Sequence, residues 1–202
     1  MAGRVTKFDT ALELLRRRRT LRPRDLARDG IPPDYLDRLY RLGQADRVAR
    51  GLYAWPDAEV SEHHSLAQAA RLVPAGVVCL LSALRFHSLT TQSPCEVWLT
   101  LPIKAWTPRI DSPRLRIIRA GGPALTAMIE QHRVEGVAVR VYSPAKTVAD
   151  SFKHRSKIGL DVAIEALRDV FRGRRATMDE LWAAAQVCRM ANVMRPYLES
   201  LT

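Results

Sequence analysis

Apolar side chains in the first quarter of the chain recur at helical spacing and then at strand spacing. Phe8, Ala11, Leu12 and Leu15 fall at i, i+3, i+4 and i+7, which paints one stripe on a helix. Thr6 precedes that stripe and Asp9 stands three residues later, the arrangement of a capping box. The run Arg16 to Arg19 closes the helix, where cations meet the negative end of its dipole. A second, short helix is expected after Pro23, carrying Leu26 and Ala27, because proline is well tolerated at a first helical position. Asp29-Gly30-Ile31 reads as a turn. A third helix starts near Pro32 or Pro33 and runs to about Leu42, with Leu36, Leu39 and Tyr40 inward and Gly43 ending it. Ala45 to Val48 and Leu52 to Trp55 then flank Arg50-Gly51, which predicts a β-hairpin. Helix, helix, turn, helix, hairpin is the order of a winged helix-turn-helix. Pro56 to Ser61 has proline, acidic residues and no apolar period, and so marks a boundary between domains at 1–58 and 61–202.

The pattern beyond Ser61 mixes both periods. Leu66, Ala69, Ala70 and Val73 give a helix after the Ser61 cap, Val77 to Leu80 a short buried strand, and Ser82 to His87 another helix. Val97, Leu99 and Leu101 alternate with Glu96, Trp98 and Thr100, as in a half-buried strand. Leu115 to Arg119 and Val137, Val139 and Val141 predict two more strands. The rest is helical. Ser143 caps a helix opened by Pro144, with Ala145, Val148, Ala149 and Phe152 on one face. Leu160, Ala163, Ile164, Leu167 and Phe171 line the next, Thr177 and Glu180 form a capping box, and Met194, Tyr197, Leu198 and Leu201 stripe the last. The fold class expected is α+β: an N-terminal winged helix-turn-helix followed by a mixed α/β domain with a small sheet and a helical C-terminal end.

Composition narrows the function classes. The 202 residues are 47% hydrophobic, enough for a sizeable core. The net charge of +11 and isoelectric point near 10.3 favour polyanionic partners, nucleic acid first and acidic protein or membrane surface second. Residues 1–60 hold 13 Lys or Arg against 9 Asp or Glu, so the surplus is spread over the chain. Leu72 to Leu84, the longest uncharged stretch, is too short to cross a bilayer, and Met1 to Thr10 has no secretory apolar core. A cytoplasmic protein without membrane partners is therefore expected. Cys79, Cys95 and Cys188 are far apart and form no Cys-x-x-Cys pair, as reduced thiols would.

The third helix and hairpin carry the most informative chemistry. With Leu36, Leu39 and Tyr40 inward, the outward set is Asp34, Tyr35, Arg38 and Arg41, and the hairpin adds Arg47 and Arg50. Arginine suits bidentate contacts to guanine or phosphate, so this set is the candidate DNA-binding face. A solvated basic face is the plainer alternative. Arg16 and Arg17 could touch the DNA backbone or simply match the helix dipole. Enzyme signals are poor: there is no Gly-x-Ser-x-Gly elbow, His-Glu-x-x-His, phosphate-binding glycine loop or Asp/Glu-x-Lys tripeptide. His63-His64 is expected to be a surface pair. His87, His132 and His154 have no evident catalytic partner, and Gly121-Gly122-Pro123 reads as a turn. Lys146 and Asp150 lie four apart on one helix, either an ordinary ion pair or part of an interaction surface. No catalytic residue, metal or cofactor is expected.

Three stretches resemble the AbiEi-type antitoxins, the regulator half of bacterial type IV toxin–antitoxin and abortive-infection systems. They are Leu36 to Tyr53 with its Arg-Gly-Leu-Tyr ending, Leu81 to Thr90, and Val141 to Asp150. Ser88 departs from the family's usual glycine. The resemblance implies a repressor of its own operon acting on double-stranded operator DNA, commonly inverted repeats. It further implies a C-terminal domain that counters a nucleotidyltransferase-type toxin without a stable complex. Arg85, His87, Lys146 and Asp150 fall in its second and third stretches and form the candidate interaction surface. The rival readings are a regulator without a toxin and a DNA-processing enzyme targeted by a winged helix.

Overall fold

The computed structural model describes residues 6–56, 61–108 and 110–201. Its fold is α+β, in two units: Met1–Ala67 with Arg133–Val137, and Gln68–His132 with Ala138–Thr202. Of the expected boundary Pro56 to Ser61, residues 57–60 lie outside the described residues.

In the first unit, α1 (Lys7–Arg18) opens with the Thr6–Asp9 capping box and buries Ala11 and Leu15. Arg19 turns the chain with φ 62°, after which β1 (Thr20–Leu21) forms. α2 (Pro23–Arg28) buries Leu26, and α3 (Tyr35–Arg41) buries Leu36 and Leu39. Gly43, at φ 67°, stops α3 in a left-handed conformation that costs glycine nothing. β2 (Asp46–Ala49) and β3 (Leu52–Ala54) make the hairpin, with Gly51 at φ 69° in its turn. β1 adds to it through Thr20↔Ala54 and Leu21↔Tyr53, giving the sheet order β1-β3-β2. A two-residue strand has no period to read, so the sequence pattern did not foretell β1. Leu15, Leu21, Leu26, Leu36, Leu39 and Tyr53 close one apolar core. His63 and His64, expected at the surface, are instead largely covered. His64 Nδ1 lies 2.8 Å from Glu135 Oε2, while Ser61 donates to Glu135 Oε1 through its backbone N–H and its hydroxyl.

The second unit is built on α4 (His64–Leu72), β4 (Val77–Val78), α5 (Leu80–Phe86), β5 (Val97–Pro102), β6 (Leu115–Ala120), α6 (Pro123–Thr126), β7 (Ile129–Val134) and β8 (Val137–Tyr142). Then come α7 (Pro144–Lys153), α8 (Arg155–Ile158), α9 (Leu160–Arg172), α10 (Met178–Val187) and α11 (Ala191–Glu199). The sheet order is β6-β5-β4-β8-β7, parallel at β5–β6 and β4–β8 and antiparallel at β4–β5. β5 is not half-buried as expected: Val97 to Leu101 are all buried. It is an interior strand, and Trp98 turns into the helical core while Thr100 is buried as well.

α7 departs from a one-faced helix in the same way. Every residue from Ala145 to Phe152 is buried, because α5, α8, α9, α10 and α11 all pack against it. Its polar residues are satisfied internally: Thr147 donates to the Tyr142 carbonyl and Ser151 to the Thr147 carbonyl. On α9 the buried set is Val162, Ala163, Ala166, Leu167 and Val170, and the expected Leu160 is exposed. Among the described residues no helix is long and apolar enough to cross a membrane.

Candidate nucleic-acid interface

α3 turns Leu36 and Leu39 into the core and presents Asp34, Arg38 and Arg41 to solvent. Seven residues make a helix about 10 Å long, short enough for its exposed face to lie within one DNA major groove. Arg38 is steadied by its head group: its guanidinium lies 4.9 Å from the Phe8 ring centroid. Tyr35, expected to face outward, is half-buried against Phe8 in an edge-on contact at 5.6 Å. Arg41 pairs with Asp37 at 2.8 Å.

The hairpin is tied to this helix. Tyr53 lies on β3 opposite Arg47 of β2, and its hydroxyl donates to Asp37 Oδ1 at 3.3 Å. Burial, and then the Asp37 charge, push the Tyr53 phenol above its ordinary range, so it stays protonated and keeps donating. The register shifts between Arg47 and Ala49, an irregularity that re-aims the strand just before the turn. Arg47 and Arg50 are both exposed. Asp37 thus joins an arginine of α3 to the strand behind the hairpin tip, holding the two cationic elements in one frame.

Arg16 and Arg17 are exposed at the far end of α1. Arg16 sits eight residues beyond Phe8, about 12 Å along the helix axis, and lies 6.0 Å from the Trp55 ring. They form a separate basic patch, not an extension of the Arg38 cluster. Two residues of the α3 face were not foreseen in their positions. Tyr40, expected inward, is 45% exposed and meets Tyr53 edge-on at 6.5 Å. A helix this short buries a seam only as wide as Leu36 and Leu39. Asp37 escaped notice as the organising carboxylate, although its i, i+4 spacing to Arg41 was the available signal.

The second candidate surface is largely interior. Lys146 and Asp150 are buried, and His87 is buried as well; Arg85 alone of the four is exposed. The interaction-surface alternative therefore gives way to the ion pair. Lys146 Nζ contacts Asp150 Oδ2 at 2.5 Å and lies 4.1 Å from the Tyr142 ring centroid. Cys188 donates its S–H to Asp150 Oδ1 at 3.2 Å. Removal from water forces this pairing, since an isolated buried charge would be far costlier. Burial pushes the Cys79 and Cys188 thiols up to about 12, leaving both protonated and unreactive at neutral pH. His87 Nε2 lies 2.8 Å from the Tyr142 carbonyl, and the Arg175 guanidinium donates to the His87 carbonyl. Burial lowers the His87 imidazole below its ordinary value, which makes it a neutral structural donor.

Residues 9–56, which span α1 to the end of the hairpin, match the family described as transcriptional regulator, AbiEi antitoxin. No curated protein sequence matches the chain significantly. Among solved structures, the chain is similar to the crystal structure of the RV2827C protein from Mycobacterium tuberculosis. That likeness covers 96% of this chain and 78% of the other, at 16% identity and a TM-score of 0.62. At such identity it is a likeness of fold.

Proposed function

With the family match over residues 9–56 as premise, we propose that the first unit is a winged helix-turn-helix that binds duplex DNA. In this reading α2 and α3 are the helix-turn-helix, α3 enters the major groove, and the β2–β3 hairpin is the wing. Arg38 and Arg41, with Asp34 and Tyr40, face base edges, while Arg47 and Arg50 meet the flanking phosphates and Tyr35 supports the helix from behind through Phe8. Arg16 and Arg17 contact the backbone farther along the duplex. The observation that carries the reading is the division of α3: leucines in the core on one side, exposed arginines on the other, beside a hairpin that adds two more.

The chain is then a non-catalytic transcriptional repressor of its own operon. It is also the antitoxin of a type IV pair in a bacterial cytoplasm, countering a nucleotidyltransferase-type toxin without a stable complex. DNA binding belongs to residues 1–58 and toxin neutralisation to 61–202. The test pairs a gel shift on the upstream promoter with growth under an inducible toxin from the adjacent gene. The full chain should shift the promoter and restore growth, and residues 61–202 should restore growth at least in part without a shift. Growth restored by residues 1–58 alone would overturn the division of labour.

A further inference from the structure

A cavity of the second unit, about 810 Å³, is lined at the end of β6 and the following turn by Arg119, Gly121 and Gly122. Lys153 of α7 and Gln186 and Arg189 of the α10 end close its other side. Sites that enclose small ligands run from about 300 to 1,000 Å³. The charged residues among its described lining are Arg119, Lys153 and Arg189, with no carboxylate among them. A smaller recess shares Arg119, Ala120, Ala124 and Lys153 with this cavity and has Asp150 in its lining. That carboxylate is already held by Lys146 and Cys188, so it does little to offset the three cations.

Arg119 is also preorganised. It donates to the Pro102 carbonyl at 3.0 Å and to Thr107 Oγ1 at 2.6 Å, which fixes its fork and spends two of its five N–H donors. The same two bonds brace the segment from Pro102 to Thr107. Ile103 of that segment lines the cavity, and Trp106, three residues on, is 80% exposed. An indole this exposed contributes almost nothing to a core, yet it is well suited to stack on a planar ring.

We propose that this cavity binds a free nucleotide, its phosphates on Arg119, Lys153 and Arg189 and its base against Trp106. Nothing in this depends on the DNA-binding reading of the first unit. The test is calorimetry and tryptophan fluorescence on the full chain, with AMP, ADP and ATP as probes. Adenosine, inorganic phosphate and a short single-stranded oligonucleotide are the comparison arms. A nucleotide should bind saturably and quench the emission, and more tightly than adenosine or phosphate alone. Lys153→Gln and Arg189→Gln, both at exposed positions, should each weaken it about tenfold, the usual loss for a charge-assisted hydrogen bond. Trp106→Phe should remove most of the quenching and keep most of the affinity. Promoter binding should be unchanged in all three variants. No nucleotide binding, unchanged affinity in Lys153→Gln/Arg189→Gln, phosphate binding as tight as nucleotide, or tighter binding of the oligonucleotide would each overturn the proposal.

Discussion

Two acid–base pairs at the same helical spacing, one in each unit, differ in what surrounds them. Asp37 and Arg41 on α3 meet at 2.8 Å with side chains 40% and 79% exposed. Lys146 and Asp150 on α7 meet at 2.5 Å with side chains 0% and 10% exposed. In water the first pair gains little by associating, and its arginine stays available to another anion. In the interior the second pair has no alternative, since either charge left alone would face a large desolvation cost. Spacing makes a pair possible; burial decides whether it serves recognition or the integrity of the core.

The sharpest way to break that comparison is to remove one partner from each pair. Lys146→Met leaves Asp150 buried and uncompensated, and should cost about 3–5 kcal/mol in urea unfolding. Lys146→Met/Asp150→Leu, which removes both charges, should recover much of that loss. A single variant as stable as the parent would show that the interior pair is solvated and the contrast false.

Asp37→Ala should cost no more than about 1 kcal/mol of stability, because its partner Arg41 is mostly exposed and the Tyr53 bond is long. Binding to promoter DNA should change little, because the loss of a negative charge from the basic face is offset by the loss of the frame Asp37 gives Arg41 and the hairpin. Anisotropy and urea unfolding on the same preparation check both. An Asp37→Ala protein less stable than Lys146→Met would reverse the comparison.

Acid should separate the units by a smaller margin. Burial holds His87 and His154 below their ordinary value of 6.5 in the folded state. The unfolded chain therefore takes up protons first, and stability falls as pH drops below about 6.5. In the first unit, burial works against the Glu135 carboxylate, but bonds from Ser61 and His64 outweigh it and hold the group below its ordinary 4.5. Its contribution is present above 4.5 and is lost only as pH falls further. Thermal unfolding between pH 8 and 4 should show the decline starting near 6.5, and His87→Gln should shrink that first step. A flat profile down to pH 5 would contradict the assignment.

The same contrast governs what was legible in the sequence. The first unit's helices were readable because each is amphipathic, with Ala11 and Leu15, Leu26, or Leu36 and Leu39 facing a single core. Gly43 and Gly51 stood where the turns need positive φ. In the second unit, periodicity located β5 and α7 but misjudged their surroundings. Trp98, Thr100, Lys146, Thr147, Asp150 and Ser151 look like an outward face by spacing, and all are buried. A polar residue on an interior element is recognisable only from its partners, and those lie far away in the chain, as Cys188 does for Asp150. The cationic cavity has the same origin. Arg119, Lys153 and Arg189 share no local pattern and meet only through the tertiary fold.

The central claim is that α3 and the hairpin of the first unit read duplex DNA. It is tested most directly by fluorescence anisotropy of the full chain on its own upstream promoter at fixed salt. The comparison is between the parent and Arg38→Ala/Arg41→Ala/Arg50→Ala, with a salt titration of each. Each arginine lost from a base contact should cost roughly 1–3 kcal/mol, and each lost from a phosphate should lower the slope of log K against log salt by about 0.9. All three side chains are exposed and lose only the Phe8 and Asp37 contacts, so the thermal midpoint should fall by no more than a few degrees. A triple variant that binds the promoter with parental affinity and an unchanged salt slope would contradict the account.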